Sequence, residues 1–245
     1  MTGAITTFIA ILKSVAATFL TTDATTALHR SAIFLILFLV VHMIGNLFIF
    51  FGQEVFNTYG YFLHINPLLK FIEAYLALAF VFHGFSGCYK TYKKKRNIVK
   101  APFTQGRLLI SSLIVTFFVV IHLKSFKFGT YYTYTAKGGL SIPLKGSVEK
   151  GTEMRDIYRL ALEVFKNPTK TWIYIVSISV LGFHLYSGWE KTIRSNYIKM
   201  GLNKNDIQAA IVFGHAVTVL LTVGFLSSPI YVHYFLSKEF LFKED

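Results

Sequence analysis

Four histidines lie well inside long apolar stretches of the sequence, where few ionisable residues occur. They are His42, His83, His122 and His184, one in each of four successive stretches. An ionisable side chain at membrane depth is costly and usually marks a functional site. An imidazole in such a place can bind a metal, relay a proton or make a hydrogen bond between helices. The positions of the four histidines along the chain are therefore the first indication of their chemistry.

One ten-residue pattern surrounds two of these histidines. FHGFSGCYKT at 82–91 and FHLYSGWEKT at 183–192 are identical at six of ten positions. In a helix, the glycine four residues after each histidine lies on the same face as that histidine. A flat cofactor against a helix needs such a face, although small residues also serve helix packing in membranes. The repeat predicts that His83 and His184 form the two walls of a single pocket.

The composition is typical of a membrane protein. Hydrophobic residues make up 53% of the 245 residues and charged residues only 15%, with a mean hydropathy of +0.51. A soluble domain of this length does not usually bury so much apolar surface. The net charge of +13 would suggest nucleic acid as the partner of a soluble protein. In a membrane protein the same charge sets orientation, so no nucleic acid is expected.

Five stretches are long and apolar enough to cross a bilayer as helices, which takes about 20 residues each. They are residues 30–51, 68–90, 107–126, 171–190 and 209–233. The sequence thus predicts an all-α membrane protein with five transmembrane helices in an up-down bundle. We expect an amphipathic surface segment at 1–28, the five-helix domain at 29–236, a long outer loop at 127–170 and a tail at 237–245.

The basic residues give the bundle a direction. The connection between the second and third spans contains KKKR at 93–96, whereas the loop at 52–67 has no Lys or Arg. Basic connections stay on the cytoplasmic or matrix side of a membrane, which we call the inner side. The N-terminus is therefore expected on the inner side and the loop at 127–170 on the outer side.

Measured from the inner side, the histidines form two pairs of equal depth. At about 1.5 Å per residue, His83 and His184 lie roughly 12 Å deep. His42 and His122 lie roughly 18–22 Å deep by the same measure. Each pair could hold one planar cofactor between two imidazoles, as haem with both axial positions filled requires. Zinc needs four clustered ligands and fits less well. A proton relay remains an alternative, although such pathways usually also contain carboxylates.

Further motifs resemble those of a known family. HMIGN at 42–46, FFGQEVFN at 50–57, MRDIY at 154–158, FKNP at 165–168, LGFH at 181–184 and SPIY at 228–231 occur in this order. Together they resemble the dihaem cytochrome b subunit of succinate dehydrogenases and fumarate reductases, in the class with five helices in a single subunit. The resemblance covers about residues 29–236.

The sequence departs from the family pattern at two places. An apparently extra stretch at 129–150 contains Tyr, Gly and Pro, which suggests an ordered cap or a partner contact. Some members have an intramembrane glutamate just before the histidine of the fourth span and use it in proton transfer. Leu181, Gly182 and Phe183 occupy these positions here, so that proton pathway is not expected.

The resemblance implies two bound haems b in the bundle. His83 and His184 would ligate the proximal haem iron, and His42 and His122 the distal haem iron. The residues expected to contact the haems are Arg30, Ser31, Gly45, Gly87, Lys90, Gly188 and Lys191. Gln53, Glu54 and His64 are expected to bind a quinone near the outer end. Each ligating imidazole should also donate its other N–H to a carbonyl or hydroxyl group.

The resemblance also implies a function, partners and a location. The chain would be the anchor subunit of succinate:quinone oxidoreductase, complex II of the respiratory chain. It would carry electrons between an iron–sulfur subunit and ubiquinone or menaquinone, while a flavoprotein performs the dicarboxylate chemistry of the tricarboxylic acid cycle. It would lie among lipids in the mitochondrial inner membrane or a bacterial plasma membrane. The alternatives are a quinol:fumarate reductase anchor working in reverse, and a proton-conducting or transport protein with a histidine relay.

Overall fold

The computed structural model describes residues 24–93, 106–138, 141–142, 146–196 and 204–236. Most of the predicted amphipathic segment at 1–28 and the whole tail at 237–245 lie outside the described residues. Most of the basic connections from which we predicted the orientation lie outside them as well.

Seven α-helices occur in the described part of the chain. They are α1 Ala24–Leu47, α2 Gln53–Ile65, α3 Leu68–Lys93, α4 Arg107–His122, α5 Ile157–Phe165, α6 Pro168–Asn196 and α7 Lys204–Tyr231. A short 3-10 helix, Phe48–Phe51, follows α1, and π-helical turns at Leu123–Lys127 and Val232–Leu236 extend α4 and α7. Gly52, with a φ of 90°, allows the chain to turn from the 3-10 helix into α2.

Five of these helices are long and apolar enough to cross a membrane, which confirms the predicted all-α membrane fold. The spans are Leu28–Phe51, Leu68–Lys90, Arg107–Lys127, Pro168–Arg194 and Asp206–Leu236. The fourth begins earlier than predicted, because the Asn167 side chain accepts a hydrogen bond of 3.1 Å from the Lys170 amide and caps α6. Pro168 then occupies the first helical position, where its missing N–H is harmless.

The chain forms two compact units. The first contains α1 as far as Phe38, α3 from Ile72 and the beginning of α4 as far as Leu109. Within it, the rings of Phe34 and Tyr75 meet edge to face with centroids 4.5 Å apart. The second unit contains the other described residues, from Leu39 to Phe71 and from Ile110 onward.

Helices α6 and α7 pack against each other as antiparallel neighbours in the second unit. The Trp189 indole donates a hydrogen bond of 2.8 Å to the Ala210 carbonyl and covers Gly214. About two turns back along α6, Gly182 lies against Thr222, further along α7. Any side chain at Gly214 or Gly182 would collide with the facing residue, so both glycines are needed for this close approach.

The predicted outer loop at 127–170 contains regular structure. Strand β1, Thr133–Thr135, pairs antiparallel with β4, Glu153–Arg155, and β2, Ser141–Ile142, pairs with β3, Gly146–Ser147. Ala136, Val148 and Met154 are buried together and pack against Tyr61 and Phe62 of α2. This part of the stretch at 129–150 is therefore ordered and covers α2.

A buried carboxylate joins α2 to the start of α5. Asp156 is 3% exposed and accepts hydrogen bonds of 2.8 Å from Gln53 and from Asn57, and one of 2.9 Å from the Arg159 amide. The side-chain carbonyl of Asn57 accepts a further bond of 3.0 Å from the Tyr158 amide. Asp156 is thus the N-cap of α5 and fixes that helix to α2.

Candidate functional site

The imidazole rings of His42 and His122 lie close together, with their planes nearly perpendicular. Their centroids are 5.8 Å apart and their planes are at 84°. His42 is on α1, and His122 is the last residue of α4. Both belong to the second unit. The structure therefore brings together two histidines that the depth estimate had paired.

Aromatic side chains surround this pair. The ring centroid of Phe225 is 5.7 Å from that of His42. The centroids near that of His122 are those of Phe126 at 5.3 Å, Phe118 at 6.0 Å and Tyr174 at 6.1 Å. Phe165, at the end of α5, also packs on Phe126 and Tyr174. The pair thus lies in an apolar, water-poor site, in which two neutral imidazoles can act as metal ligands.

The separation of the two rings fits one metal ion with an imidazole on each side. A metal–nitrogen bond of about 2 Å, with each ring centroid about 1 Å behind its nitrogen, gives centroids about 6 Å apart. The observed 5.8 Å agrees with this value. Zinc fits less well, because a structural zinc site has four protein ligands. No group of three or more His, Cys, Asp or Glu able to hold a metal occurs in the described part of the chain.

His83 is oriented by a serine of α1. The Ser31 hydroxyl is 3.3 Å from Nδ1 of His83 and donates a hydrogen bond of 3.0 Å to the Leu28 carbonyl. A hydroxyl has only one proton, and Ser31 donates it to the Leu28 carbonyl. The Ser31 oxygen therefore accepts a hydrogen bond from Nδ1–H of His83. This assignment places the lone pair of the neutral ring on Nε2, which is the nitrogen that would bind a metal.

His184 has the same kind of partner. The Ser111 hydroxyl of α4 is 2.9 Å from Nδ1 of His184, and Ser111 is only 3% exposed. Both histidines of the repeated sequence thus have a serine of another helix at Nδ1. Because His83 belongs to the first unit and His184 to the second, their pairing across one cofactor stays a prediction.

The other predicted haem contacts differ in their surroundings. A Cβ added at Gly87 or Gly188 would meet nothing within 4 Å, so both glycines border open space. A Cβ at Gly45 would lie 2.8 Å from the Tyr59 hydroxyl, so helix packing alone requires this glycine. Ser31 is buried, Lys90 is partly buried, and Arg30 and Lys191 are exposed. Contact between any of these residues and haem stays a prediction.

Two of the three predicted quinone contacts make hydrogen bonds within the protein. Gln53 donates to Asp156, while Glu54 accepts a short hydrogen bond from the Tyr134 hydroxyl and one of 3.3 Å from the Lys137 amide. Burial, the hydrogen bond to Glu54 and the charges of Glu54 and Asp156 raise the pKa of Tyr134 to about 12. His64 is exposed near the end of α2. Their binding to a quinone stays a prediction.

Sequence reasoning overlooked three polar residues that the structure makes prominent. Ser111 and Asp156 gave no local signal, because their partners are 73 and about 100 residues away in the chain. His215 did give a signal, since it lies inside the fifth predicted span, as the other four histidines lie inside theirs.

Comparisons with protein-family models, with curated proteins and with solved structures find no match to this chain.

Proposed function

We propose that this chain is the membrane-anchor cytochrome b subunit of a succinate:quinone oxidoreductase. It carries electrons between an iron–sulfur subunit and a membrane quinone, through two haems b that are each held by two histidines. A quinol:fumarate reductase would use the same anchor in the reverse direction. The observation that carries the proposal is the pair of neighbouring imidazoles, His42 and His122, with centroids 5.8 Å apart.

Haem, when bound, supplies a one-electron carrier with no open coordination position. His42 and His122 would be the two residues that hold its iron. The aromatic side chains around them exclude water and restrict the two rings to one arrangement. Phe165, the last residue of α5, packs against Phe126 and Tyr174 of this aromatic group. The connection between α4 and α6 therefore also stabilises the site.

The second haem would be held by His83 and His184. Ser31 and Ser111 occupy the Nδ1 side of each ring, so Nε2 would be the nitrogen that binds the iron. Hydrogen bonds of this kind orient a ligating histidine and increase its basicity. They support the assignment of these residues as ligands, because each ring needs a fixed direction before a cofactor binds.

Five apolar helices make this a multi-pass membrane protein. We propose an energy-transducing membrane, either the mitochondrial inner membrane or a bacterial plasma membrane. A flavoprotein and an iron–sulfur subunit would dock on the inner side and perform the dicarboxylate chemistry. The chain is thus proposed as part of an enzyme of the respiratory chain, with ubiquinone or menaquinone as its electron acceptor.

The optical spectrum of the purified complex tests this function. The chain, expressed with its partner subunits, should contain two haems b, measured as pyridine haemochrome per mole of chain. Succinate should reduce them and produce the α-band of a reduced b cytochrome. Absence of that band in the complex would contradict the proposal and favour a relay of protons between the histidines.

Double substitutions test the pairing itself. His42→Ala and His122→Ala should each leave one haem per chain, and the double variant should also leave one, because both side chains hold the same iron. His64→Ala, which removes an exposed histidine near the end of α2, should leave two. Complete loss in the double variant alone would mean that the two histidines serve different haems.

A further inference from the structure

Another histidine within the spans, His215, lies apart from the candidate metal ligands. The ring of His215, on α7, stacks on that of Tyr186, on α6, with centroids 3.6 Å apart and planes at 12°. Tyr186 follows His184 by two residues, so it points about 200° around α6 from that histidine. Helix α6 therefore presents His184 to α4 on one side and Tyr186 to α7 on the other.

One ring nitrogen of His215 is unsatisfied. Nε2 is buried and has no hydrogen-bond partner among the described residues. Glu190, one turn after Tyr186 on α6, places Oε2 at 3.9 Å from this nitrogen. That distance is too long for a hydrogen bond but short enough for a strong interaction between charges. A buried nitrogen without a partner costs free energy. If Nε2 carried a proton and the two side chains moved slightly closer, Nε2–H would donate to the Glu190 carboxylate and that cost would be removed.

The side chains between His215 and the end of α6 become progressively more exposed. The exposed fractions are 20% for His215, 34% for Glu190 and 58% for Arg194. Arg194 donates a hydrogen bond of 2.8 Å to the other oxygen of Glu190 and so holds that carboxylate in place. Glu190 lies six residues before the end of α6, which is about 9 Å along the helix. Glu190 therefore lies between His215 and this end of α6.

We propose that His215 and Glu190 form a proton-binding site that exchanges with water at the end of α6 where α7 begins. Hydronium transfers its proton to Nε2 of the neutral imidazole, directly or through the carboxylate, and leaves as water. The resulting imidazolium is paired with Glu190 and lies on the face of Tyr186, which stabilises a cation. The other charged residues of α6 near this pair are Arg194, which bonds Glu190, and Lys191, which is exposed.

Neighbouring charges should shift the proton affinity of His215 in opposite directions. Glu190→Gln removes the attracting charge and should lower that affinity roughly tenfold, given the separation and the partial exposure of the pair. Arg194→Gln removes the opposing charge and should raise it. Asp206→Asn, with its charge about 13 Å from His215 along α7, is the control and should leave the affinity unchanged.

Nitrogen-15 NMR of the full chain, labelled at histidine and held in lipid nanodiscs, measures this affinity. His215→Gln identifies the signal by its loss, and Tyr186→Leu identifies it by the removed ring current if the first variant does not fold. The spectra are recorded from about pH 8 down to about pH 5. Over this series the Nε2 signal should change reversibly from the unprotonated to the protonated position. A signal that keeps one protonation state over this range would overturn the proposal. An unchanged midpoint in Glu190→Gln would overturn it as well. The result is independent of haem content and so stands or falls separately from the proposed function.

Discussion

Replacing Asp156 tests whether the buried network on α2 and α5 is a main determinant of stability. Asp156→Ala removes the acceptor of three hydrogen bonds. The amide of Asn57, which is fully buried, would then have no partner. Gln53 is partly exposed and would find water instead. The Arg159 amide would lose its cap at the start of α5.

The expected magnitude follows from these losses. An unsatisfied buried donor costs about 1–3 kcal/mol. A lost N-cap costs about 1 kcal/mol. We therefore expect Asp156→Ala to lower the free energy of unfolding by about 2–4 kcal/mol. The two carboxylate oxygens of Asp156 accept different hydrogen bonds, so the loss of stability depends on which residue replaces Asp156.

Asp156→Asn should be much milder. Oδ1 accepts from both Asn57 and Arg159, whereas Oδ2 accepts only from Gln53. An asparagine keeps the first oxygen, and the Gln53 amide can turn over to accept from the new NH₂ group. We expect a loss of less than about 1 kcal/mol. Glu153→Ala, which removes an exposed carboxylate three residues earlier, is the control and should change stability by less than about 0.5 kcal/mol.

The assay is reversible unfolding in mixed micelles with an increasing fraction of SDS. The fluorescence of Trp172 and Trp189 reports loss of structure, and far-ultraviolet circular dichroism reports loss of helix. If Asp156→Ala were no more destabilising than Glu153→Ala, the network would not stabilise the fold and the reasoning would be refuted. Equal losses in Asp156→Ala and Asp156→Asn would show that the charge, rather than the acceptor geometry, is decisive.

Two further predictions concern the contact between α6 and α7 and the tyrosine bonded to Glu54. Gly214→Ala places a Cβ inside the Trp189 indole and should cost about 1–3 kcal/mol in the same unfolding assay. Gly84→Ala, with nothing within 4 Å of the added Cβ, should be nearly neutral, and equal effects of the two would contradict the packing argument. The raised pKa of Tyr134 means that folding favours its protonated form. Its stabilising contribution is therefore complete below the ordinary tyrosine pKa of about 10 and is lost as the pH rises to about 12. An ultraviolet difference titration compares the native chain with Tyr134→Phe. The variant should lack one tyrosine ionisation near pH 12 that the native chain shows. If the variant instead lacked an ionisation near pH 10, the raised pKa would be contradicted.

The five spans could be predicted from the sequence, because lipid restricts the backbone. A chain without water must satisfy its own hydrogen bonds, so an apolar stretch of sufficient length becomes a helix whatever its neighbours are. The neighbourhood of His42 and His122 was also predictable, since depth in a membrane follows from residue count along a helix. Their aromatic surroundings were not, because Phe225 and Tyr174 come from helices much later in the chain.

The loops were predicted less well than the spans. The stretch at 52–67 contains α2, and the stretch at 127–170 contains α5 and two short hairpins. Their helices are short, and α5 has only nine residues, so its stability depends on Asp156 and on burial of its apolar side. These contacts are made with distant segments, which a local reading of hydrophobic periodicity does not include.

The sequence by itself determined which segments are apolar helices and which histidines each of them carries. Only the tertiary structure decided the partners of those histidines. Ser31 is 52 residues from His83, and Ser111 is 73 residues from His184. A serine in an apolar helix is equally compatible with a bond to its own backbone, as Ser179 makes to the Ile175 carbonyl. Whether a serine bonds its own backbone or a histidine depends on the side chain that a neighbouring helix places beside it. The rotation and packing of the helices decide which side chain that is.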